Sequence, residues 1–291
     1  MTGISWNHAF AELPDLRVHY VRHGSGMPLI LLHGWPEFWY TWRHNIPALA
    51  ESFDVIAPDL RGFGDTDKPD SVPAVETYVA DLAAFADALG LARFGVVAHD
   101  IGANIIQPFA RRWPERLSGL FLFNVPYPGI GRRWADADHL IETWYQYFHQ
   151  IDLAADIVGT SRDSCRRYFR HFLSHWARDP HAFDADLEAW VDNFMKPGNL
   201  RGGFAWYRAT DAGRRAMIRD GAPAMAPVTT PTRVLWGAHD PILKPQWRDR
   251  LDQYFTDIRV DLAADAGHFV HYESPALANR EIAAFFAGRG G

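Results

Sequence analysis

Four short stretches of the sequence are apolar at every position, and they constrain the fold more than any other feature. They are residues 29–32, 94–98, 120–123 and 234–236. A strand with one face in water alternates apolar and polar residues, whereas an uninterrupted apolar run is typical of a strand covered on both faces. The four runs therefore predict buried strands of a parallel sheet.

Between the runs, the apolar residues recur at helical spacing. This periodicity is clearest in residues 78–89 and again in residues 278–286, near the end of the chain. Strands that alternate with amphipathic helices are typical of a doubly wound α/β fold with a mostly parallel sheet. We therefore predict this fold class.

The alternation stops between about Pro126 and Pro223. This region has helical stretches without a strand pattern, and residues 134–207 hold fifteen Trp, Tyr and Phe residues. We predict an α/β core of residues 1–126 and 224–291, interrupted by a helical cap of residues 127–223. The alternative is an extended helical layer of the same core. An aromatic cap over a sheet would enclose a dry apolar pocket, where small molecules usually bind.

The charge and composition exclude several classes of function. A net charge of −6 without a long basic run argues against nucleic acids and anionic membranes as partners. The single cysteine, Cys165, rules out an internal disulfide, and no stretch approaches the roughly 18 apolar residues of a membrane helix. Residues 1–10 do not resemble a signal peptide. We expect a cytoplasmic protein, without metal or cofactor, whose aromatic cap could pair in a homodimer.

The segment of residues 94–104 carries the first chemical signal. An apolar run leads into Asp100, and Ala98 and Gly102 flank this residue at the spacing of a nucleophile elbow, G-x-Nuc-x-G. Small residues are needed because the turn is sharp and the helix begins close to the strand. The first small residue is Ala98 rather than glycine, a mild departure. The alternative is an ordinary helix N-cap at Asp100.

A second segment follows the first apolar run. It reads His33-Gly34-Trp35-Pro36, which is where α/β-hydrolases build half of an oxyanion hole from backbone N–H groups. The predicted donors are the N–H of Trp35 and the N–H of Ile101, the residue after the elbow. The alternative is a simple turn of glycine and proline.

Two residues complete the order nucleophile, acid, histidine along the chain. Asp240 follows the run of residues 234–236, and His268 follows the next expected strand. Some relatives place the acid one strand earlier, but Asn124 stands there, and an amide cannot act as the charged partner. Three neighbours are interpreted as bystanders: Asp265, His239 and His271.

With these motifs, the chain resembles α/β-hydrolases of the epoxide hydrolase and haloalkane dehalogenase group over nearly its whole length. Residues 59–64 and 68–69 also resemble a structural loop of that family. The resemblance extends to two cap segments, residues 143–148 and 203–208, which are similar to those that carry the lid tyrosines of epoxide hydrolases. It implies lid roles for Tyr145 and Tyr207, with two stand-ins for Tyr145: Tyr147 and His149.

An aspartate at the elbow changes the expected reaction. A carboxylate is already ionised at pH 7 and suits displacement at a saturated carbon, whereas attack on an ester would give only an anhydride. Asp100 therefore argues against an esterase, a lipase or a peptidase. The expected intermediate is an ester of Asp100, which water activated by His268 then hydrolyses, with Asp240 orienting the histidine.

The leaving group separates two substrate classes, small apolar epoxides and halogenated compounds. An opening epoxide needs a proton, which a tyrosine hydroxyl can give, whereas a halide needs only N–H donors. Haloalkane dehalogenases usually carry Trp where Ile101 stands. Fluoroacetate dehalogenases carry arginines just after the nucleophile, and Asn104 lies there, with Arg111 and Arg112 too far along the helix.

Epoxide hydrolase is therefore the leading interpretation. A haloalkane or haloacetate dehalogenase is the first alternative, since Trp144 and Trp206 could donate to a halide. A non-catalytic ligand receptor on this fold is the second. We expect seven further residues to line the substrate pocket: His33, Pro36, His99, Trp144, Gln146, Trp206 and Phe269.

Overall fold

The computed structural model of the chain describes residues 5–289. Within them lies one sheet of eight strands in the spatial order β1-β2-β4-β3-β5-β6-β7-β8. β1 pairs antiparallel with β2, and β2 with β4, whereas all later neighbours are parallel. The predicted mostly parallel sheet is thus confirmed, and the four apolar runs are β3, β5, β6 and β7. The strands are β1 (His8–Leu13), β2 (Leu16–Gly24), β3 (Met27–Leu32), β4 (Phe53–Pro58), β5 (Phe94–His99), β6 (Leu117–Phe123), β7 (Thr232–Gly237) and β8 (Ile258–Ala263).

The other four strands lack an uninterrupted apolar run. β1 and β8 form the two edges of the sheet, and most of their residues are exposed or half-buried. β4 is buried at all six positions, yet it contains Asp54, which is neutralised by Arg22 of β2 at 2.6 Å. An ion pair in β4 and the solvent-facing edges β1 and β8 therefore leave these three strands without an uninterrupted apolar run.

Helices cover both faces of the sheet. Successive side chains of a strand point to opposite faces of the sheet. In β5, the Phe94 ring contacts Phe109. A side chain at the next position, Gly95, would instead meet Phe286. Phe109 and Phe286 belong to α3 and α10, which consequently lie on opposite faces. The helices are α1 (Ile46–Leu49), α2 (Val75–Ala88), α3 (Ile101–Arg112), α4 (Leu140–Phe148), α5 (Leu153–Val158), α6 (Arg162–Trp176), α7 (Leu187–Phe194), α8 (Asn199–Asp220), α9 (Val270–Glu273) and α10 (Pro275–Phe286). The two helices predicted from periodicity, α2 and α10, are confirmed.

The segment between β6 and β7 is helical. In this part of the described chain, α4 to α8 and a 3-10 stretch at Pro128–Ala135 occur without a strand. Aromatic contacts tie it to the core: the Trp190 indole N–H donates to the Pro36 carbonyl at 2.8 Å, and Phe183 stacks on Tyr272. The division into a core and a cap of residues 127–223 stays a prediction that this arrangement supports. Among residues 5–289, no helix is long and apolar enough to cross a membrane.

Candidate active site

The backbone at Asp100 forms a sharp turn between β5 and α3. All six residues of β5 are buried, and Asp100 then adopts φ 44° and ψ −109° before α3 begins at Ile101. Positive φ is uncommon for a residue other than glycine and is tolerated best by Asn and Asp. A side chain at Gly102 would place its Cβ 2.5 Å from the Leu32 carbonyl oxygen. The close approach of strand and helix therefore requires the glycine that the elbow motif predicted.

The loop after β3 lies against Asp100. A Cβ at Gly34 would come within 2.7 Å of the Asp100 Cβ, so only glycine fits at this position. The Trp35 N–H donates to Asp100 Oδ2 at 3.1 Å. Ile101, as the first residue of α3, carries one of the amides that a helix start leaves without an intrahelical acceptor. Of the two predicted oxyanion donors, the Trp35 N–H contacts the nucleophile candidate directly, and the Ile101 N–H follows it at the start of α3.

Asp240 and His268 are directly paired. The His268 Nδ1 lies 2.8 Å from Asp240 Oδ2, and Asp240 Oδ1 accepts hydrogen bonds from the N–H groups of Ile242 and Leu243 at 2.8 and 3.0 Å. Because a carboxylate only accepts, the Nδ1 carries a proton. The buried Nε2 has no hydrogen-bond partner among the residues that the structure describes. This nitrogen is thus left for a water or a substrate.

Charges in the site favour a protonated His268 in the free protein. Burial lowers the pKa of His268, but the carboxylates of Asp240 and, to a lesser extent, Asp100 raise it to about 9. For Asp100, burial raises the pKa, and the nearby His268 only partly offsets this effect. Each group thus affects the other: Asp100 raises the pKa of His268, and His268 lowers that of Asp100.

Asn124 has a role that the sequence analysis did not predict. It follows β6, adopts φ 41°, and donates through Nδ2 to Asp240 Oδ2 at 2.5 Å while its Oδ1 accepts from the Gly237 N–H at 3.2 Å. The position was correctly dismissed as the charged partner. It nevertheless donates a hydrogen bond to Asp240, the acid candidate, and the signal was available in its location after a buried strand.

Tyr145 and Tyr207 lie on the same cavity as Asp100. Their rings meet edge to face at 5.4 Å, and Tyr145 also stacks on Trp35 at 5.2 Å. Burial and the negative charge of Asp100 hold the pKa of Tyr145 above its ordinary range, and the same causes raise that of Tyr207. Both phenols are therefore protonated at neutral pH and can donate a proton or a hydrogen bond.

The two stand-ins for Tyr145 point elsewhere. Tyr147 is exposed, with the Arg214 guanidinium 4.9 Å from its ring. His149 is buried, donates or accepts at Tyr168 at 2.6 Å, and stacks on Phe204 at 3.8 Å. Among the candidates, Tyr145 is thus the phenol on α4 that reaches the cavity.

The cavity has a volume of about 420 Å³ and is elongated. One face of α3 and one face of α8 form its long walls, from Asp100 to Arg111 on the first helix. These two residues are eleven positions apart, which corresponds to roughly 16 Å of helix. Arg111 therefore lines the cavity, but at the far end from Asp100, as the sequence predicted when it argued against a fluoroacetate site. Further lining residues are Ile101, Asn104, Gln107, Pro108, Trp134, Thr210, Arg214, Met217, Met225, Ile242 and Leu243.

Of the seven residues expected around the substrate, Gln146 and Trp206 line this cavity. The other five are not among the residues that line this cavity, and they make different contacts. His33 is buried and receives the Leu60 N–H at 3.0 Å, and the Pro36 carbonyl accepts from Trp190. Trp144 is partly exposed and stacks on Phe172. The remaining two are buried in the core: His99 and Phe269.

His99 belongs to a buried polar network that the sequence analysis missed. Its Nδ1 lies 2.7 Å from Glu37 Oε2, which also accepts the Gly34 N–H, and its Nε2 lies 2.9 Å from the His268 carbonyl. Both neighbours of the ring are hydrogen-bond acceptors. The network thus links the loop of Gly34, the strand before Asp100 and the backbone of His268. An acidic residue within an apolar loop was the signal for Glu37.

The other end of Glu37 binds His271 and Thr41. Thr41 donates to Glu37 Oε1 at 2.6 Å, and the His271 Nε2 lies 3.1 Å from the same oxygen. Burial lowers the pKa of His271 to about 4, against the raising effect of Glu37. Glu37, His99 and His271 could in principle hold a metal ion. Because their facing atoms are already joined by hydrogen bonds, the group fits a structural network better than a metal site.

Three residues were interpreted as bystanders of the catalytic candidates, and this interpretation is unchanged. His271 belongs to the buried network, Asp265 is exposed, and the His239 N–H donates to the Ala266 carbonyl in the turn next to Asp240. A strand-to-helix elbow at Asp100, an acid–histidine pair and a backbone N–H that donates to the elbow carboxylate are the features of an α/β-hydrolase.

Comparisons with known proteins agree. Residues 27–275 match the family described as alpha/beta hydrolase fold, and the chain belongs to this family and is a hydrolase. It is 32% identical to the soluble epoxide hydrolase of Corynebacterium sp. (strain C12), over 96% of this chain and 97% of that protein. It is 30% identical to human epoxide hydrolase 4, over 96% of this chain and 78% of the relative. The solved structure of the epoxide hydrolase CorEH without ligand superimposes with a TM-score of 0.85 at 32% identity, covering 97% and 99% of the two chains.

Proposed function

We propose that this protein hydrolyses a small apolar epoxide to a vicinal diol through an ester intermediate on Asp100. One observation carries the proposal: the half-buried carboxylate of Asp100 and two protonated phenols, Tyr145 and Tyr207, lie on one cavity. A nucleophile and an acid on the same cavity match what epoxide opening needs. The names of the relatives give independent support.

In the first step, an Asp100 carboxylate oxygen attacks an epoxide carbon. The carbon–oxygen bond of the ring breaks, and the departing oxygen takes a proton from a lid phenol. An alkoxide without this proton would be a poor leaving group at neutral pH, and general-acid help is worth roughly 10²–10⁴ in rate. The buried, apolar setting raises the energy of the Asp100 carboxylate, which favours its conversion into an uncharged ester.

In the second step, His268 Nε2 removes a proton from water, and the hydroxide attacks the carbonyl carbon of the ester. Asp240 keeps the proton of His268 on Nδ1, so that Nε2 faces the water. The N–H groups of Trp35 and Ile101 stabilise the negative oxygen of the tetrahedral intermediate. Collapse releases the diol and restores the carboxylate.

A His268→Gln variant is expected to trap the intermediate. Asp100 would still attack, but the ester would persist because the general base is missing, and kcat would fall by roughly 10³. Intact-protein mass spectrometry after incubation with styrene oxide should show one adduct, and peptide mapping should place it on Asp100. The wild-type protein should convert the same epoxide to its diol. A variant that stays unmodified by a broad panel of epoxides would contradict the proposal.

Halide release is the outcome that would favour the dehalogenase alternative instead. Incubating the wild-type protein with haloalkanes and haloacetates, and measuring free halide, separates the two reactions directly. No specific observation favours this alternative, since Ile101 follows the nucleophile and Arg111 lies at the far end of the cavity.

The second step should depend on pH in a defined direction. Protonated His268 cannot accept a proton from water, so ester hydrolysis is lost as the pH falls through its pKa. That pKa is about 9 in the free protein, partly because Asp100 is negative. The ester is uncharged, so the pKa in the intermediate should lie below 9. We expect the decay of the adduct in single turnovers to slow as the pH falls, with an apparent pKa below that of the free protein. A decay rate that does not change between acidic and mildly alkaline pH would exclude His268 as the base.

A further inference from the structure

Arg214 is a nearly buried cation on the cavity wall. It lies on α8, its residue is 8% exposed, and its guanidinium donates from Nη1 to the Gln146 side-chain oxygen and from Nη2 to Asp211 Oδ1 at 3.2 Å. Gln146 in turn donates from Nε2 to the Tyr145 hydroxyl at 3.2 Å. A chain of side chains thus leads from a positive charge to a phenol on the cavity.

The available donors and acceptors determine the direction of each hydrogen bond between these side chains. A guanidinium has donors only, so the atom of the Gln146 amide that faces Arg214 must be its oxygen. The NH₂ group of the same amide then has to face Tyr145. The Tyr145 oxygen is consequently an acceptor toward Gln146, and its own proton has to point elsewhere.

Tyr207 lies beside Tyr145. The two rings meet edge to face at 5.4 Å, and both residues line the cavity that holds Asp100. A phenol has one proton to give. With its oxygen accepting from Gln146, Tyr145 has that proton left for an acceptor in the cavity that it shares with Asp100.

Resting on the proposed function, we propose that Arg214 and Gln146 are positioning residues that aim the Tyr145 proton at the epoxide oxygen. Tyr145, rather than Tyr207, is then the phenol that gives up its proton. The Tyr145 O–H bond breaks as the ring carbon–oxygen bond breaks, and the proton goes to the ring oxygen. The resulting phenolate accepts from Gln146, with the Arg214 charge behind that amide. The proton that His268 takes from water in the second step returns to Tyr145 through solvent.

The cation itself is held rigidly. Asp211 also accepts from Gln150 at 3.1 Å, and Gln150 donates to the Gln146 backbone carbonyl at 2.9 Å. Asp211 thus ties α8 to α4 beside the Tyr145 position. Arg214 is therefore placed by contacts on both helices.

The test is a double-mutant cycle, in which a purely structural role of Arg214 would give a different result from the proposed one. Arg214→Met should lower kcat/KM for styrene oxide by about 10- to 100-fold, a share of the roughly 10²–10⁴ that general-acid help supplies. In a Tyr145→Phe background, the same substitution should cause less than about a two-fold further loss, because its target is gone. In a Tyr207→Phe background, Arg214→Met should again lower kcat/KM by about 10- to 100-fold. Equal losses in all three backgrounds, or no loss in the wild-type background, would overturn the proposal.

Arg215 offers a matched control. It neighbours Arg214 on α8, is largely exposed, and binds the other oxygen of Asp211 at 2.6 Å. Arg215→Met should therefore leave kcat/KM unchanged, which separates the effect on Tyr145 from the loss of a contact to Asp211.

A binding measurement keeps the test independent of turnover. The carbonyl of phenylacetamide accepts a hydrogen bond from a phenol, so its Kd should rise about 5- to 20-fold on Arg214→Met, but not in the Tyr145→Phe background. If the wild-type protein hydrated no epoxide yet showed this pattern of Kd values, the proposed function would fail and the chain of donors would stand. Equal changes of Kd in the wild-type and Tyr145→Phe backgrounds would overturn the proposed series of hydrogen-bond donors, but not the proposed function.

Discussion

An Asp100→Asn variant should lose epoxide hydrolysis by a factor on the order of 10⁵ or more, the size of effect seen when a covalent nucleophile is removed. An amide is not nucleophilic enough to open the ring, whereas its shape and its tolerance of positive φ match those of aspartate. The fold should therefore persist, with a melting temperature no lower than that of the wild-type protein, since burial makes the Asp100 carboxylate costly. Diol formation from styrene oxide, measured directly after purification, checks the prediction.

Asp265→Asn is the matched control for this substitution. Asp265 is exposed and lies three residues before His268, so its variant should retain full activity. Mass spectrometry should verify that the amide introduced by Asp100→Asn has not hydrolysed back to a carboxylate. Substantial turnover by the intact Asp100→Asn protein would refute the covalent mechanism, because a general-base route without the carboxylate nucleophile would then suffice.

Removing both lid phenols should produce the second-largest effect. In a Tyr145→Phe/Tyr207→Phe variant, we expect kcat/KM to fall by about 10⁴, the upper range of general-acid catalysis, because the ring oxygen would leave without a proton or a donor. Either single substitution should cost less, since the remaining phenol lies within contact of its partner. Steady-state kinetics with styrene oxide would measure all three variants.

Tyr147→Phe is the control for the phenols. Tyr147 lies on α4 two residues beyond Tyr145, but its side chain is exposed, so its hydroxyl should be dispensable. If the double variant retained most of the wild-type rate, the proton would have to come from another group. The preference for epoxides over halides would then lose its structural basis.

The sequence predicted the parts of the fold that leave a local pattern. Continuous apolar runs located the four central strands, because a strand covered by helices on both faces has no solvent side to interrupt the run. β1 leaves no such run because an edge strand is partly exposed, β8 was expected only from its place before His268, and β4 was missed because Asp54 interrupts it. Pairing of Asp54 with Arg22 is a tertiary fact that no local window contains.

The same distinction applies to the site. Asp100, Asp240 and His268 could be proposed because each follows a strand in a fixed order, and the structure pairs the last two. The expected pocket was less accurate: His99 and Phe269 stand next to predicted catalytic residues, yet neighbouring side chains of a strand or turn face different directions. Glu37, Asn124 and Arg214 act through partners distant in the chain, so their roles emerge only when the packing is known.

The crowding at Gly34 and Gly102 has a consequence for attempts to redesign this catalyst. Any side chain at either position would collide with Asp100 or with the end of β3, so both positions tolerate no diversity. The far half of the cavity, around Pro108, Met217 and Met225, has no such restriction. Libraries that vary only those three positions should alter the range of substrates without moving the reacting groups. A screen against epoxides with progressively longer tails would measure this change.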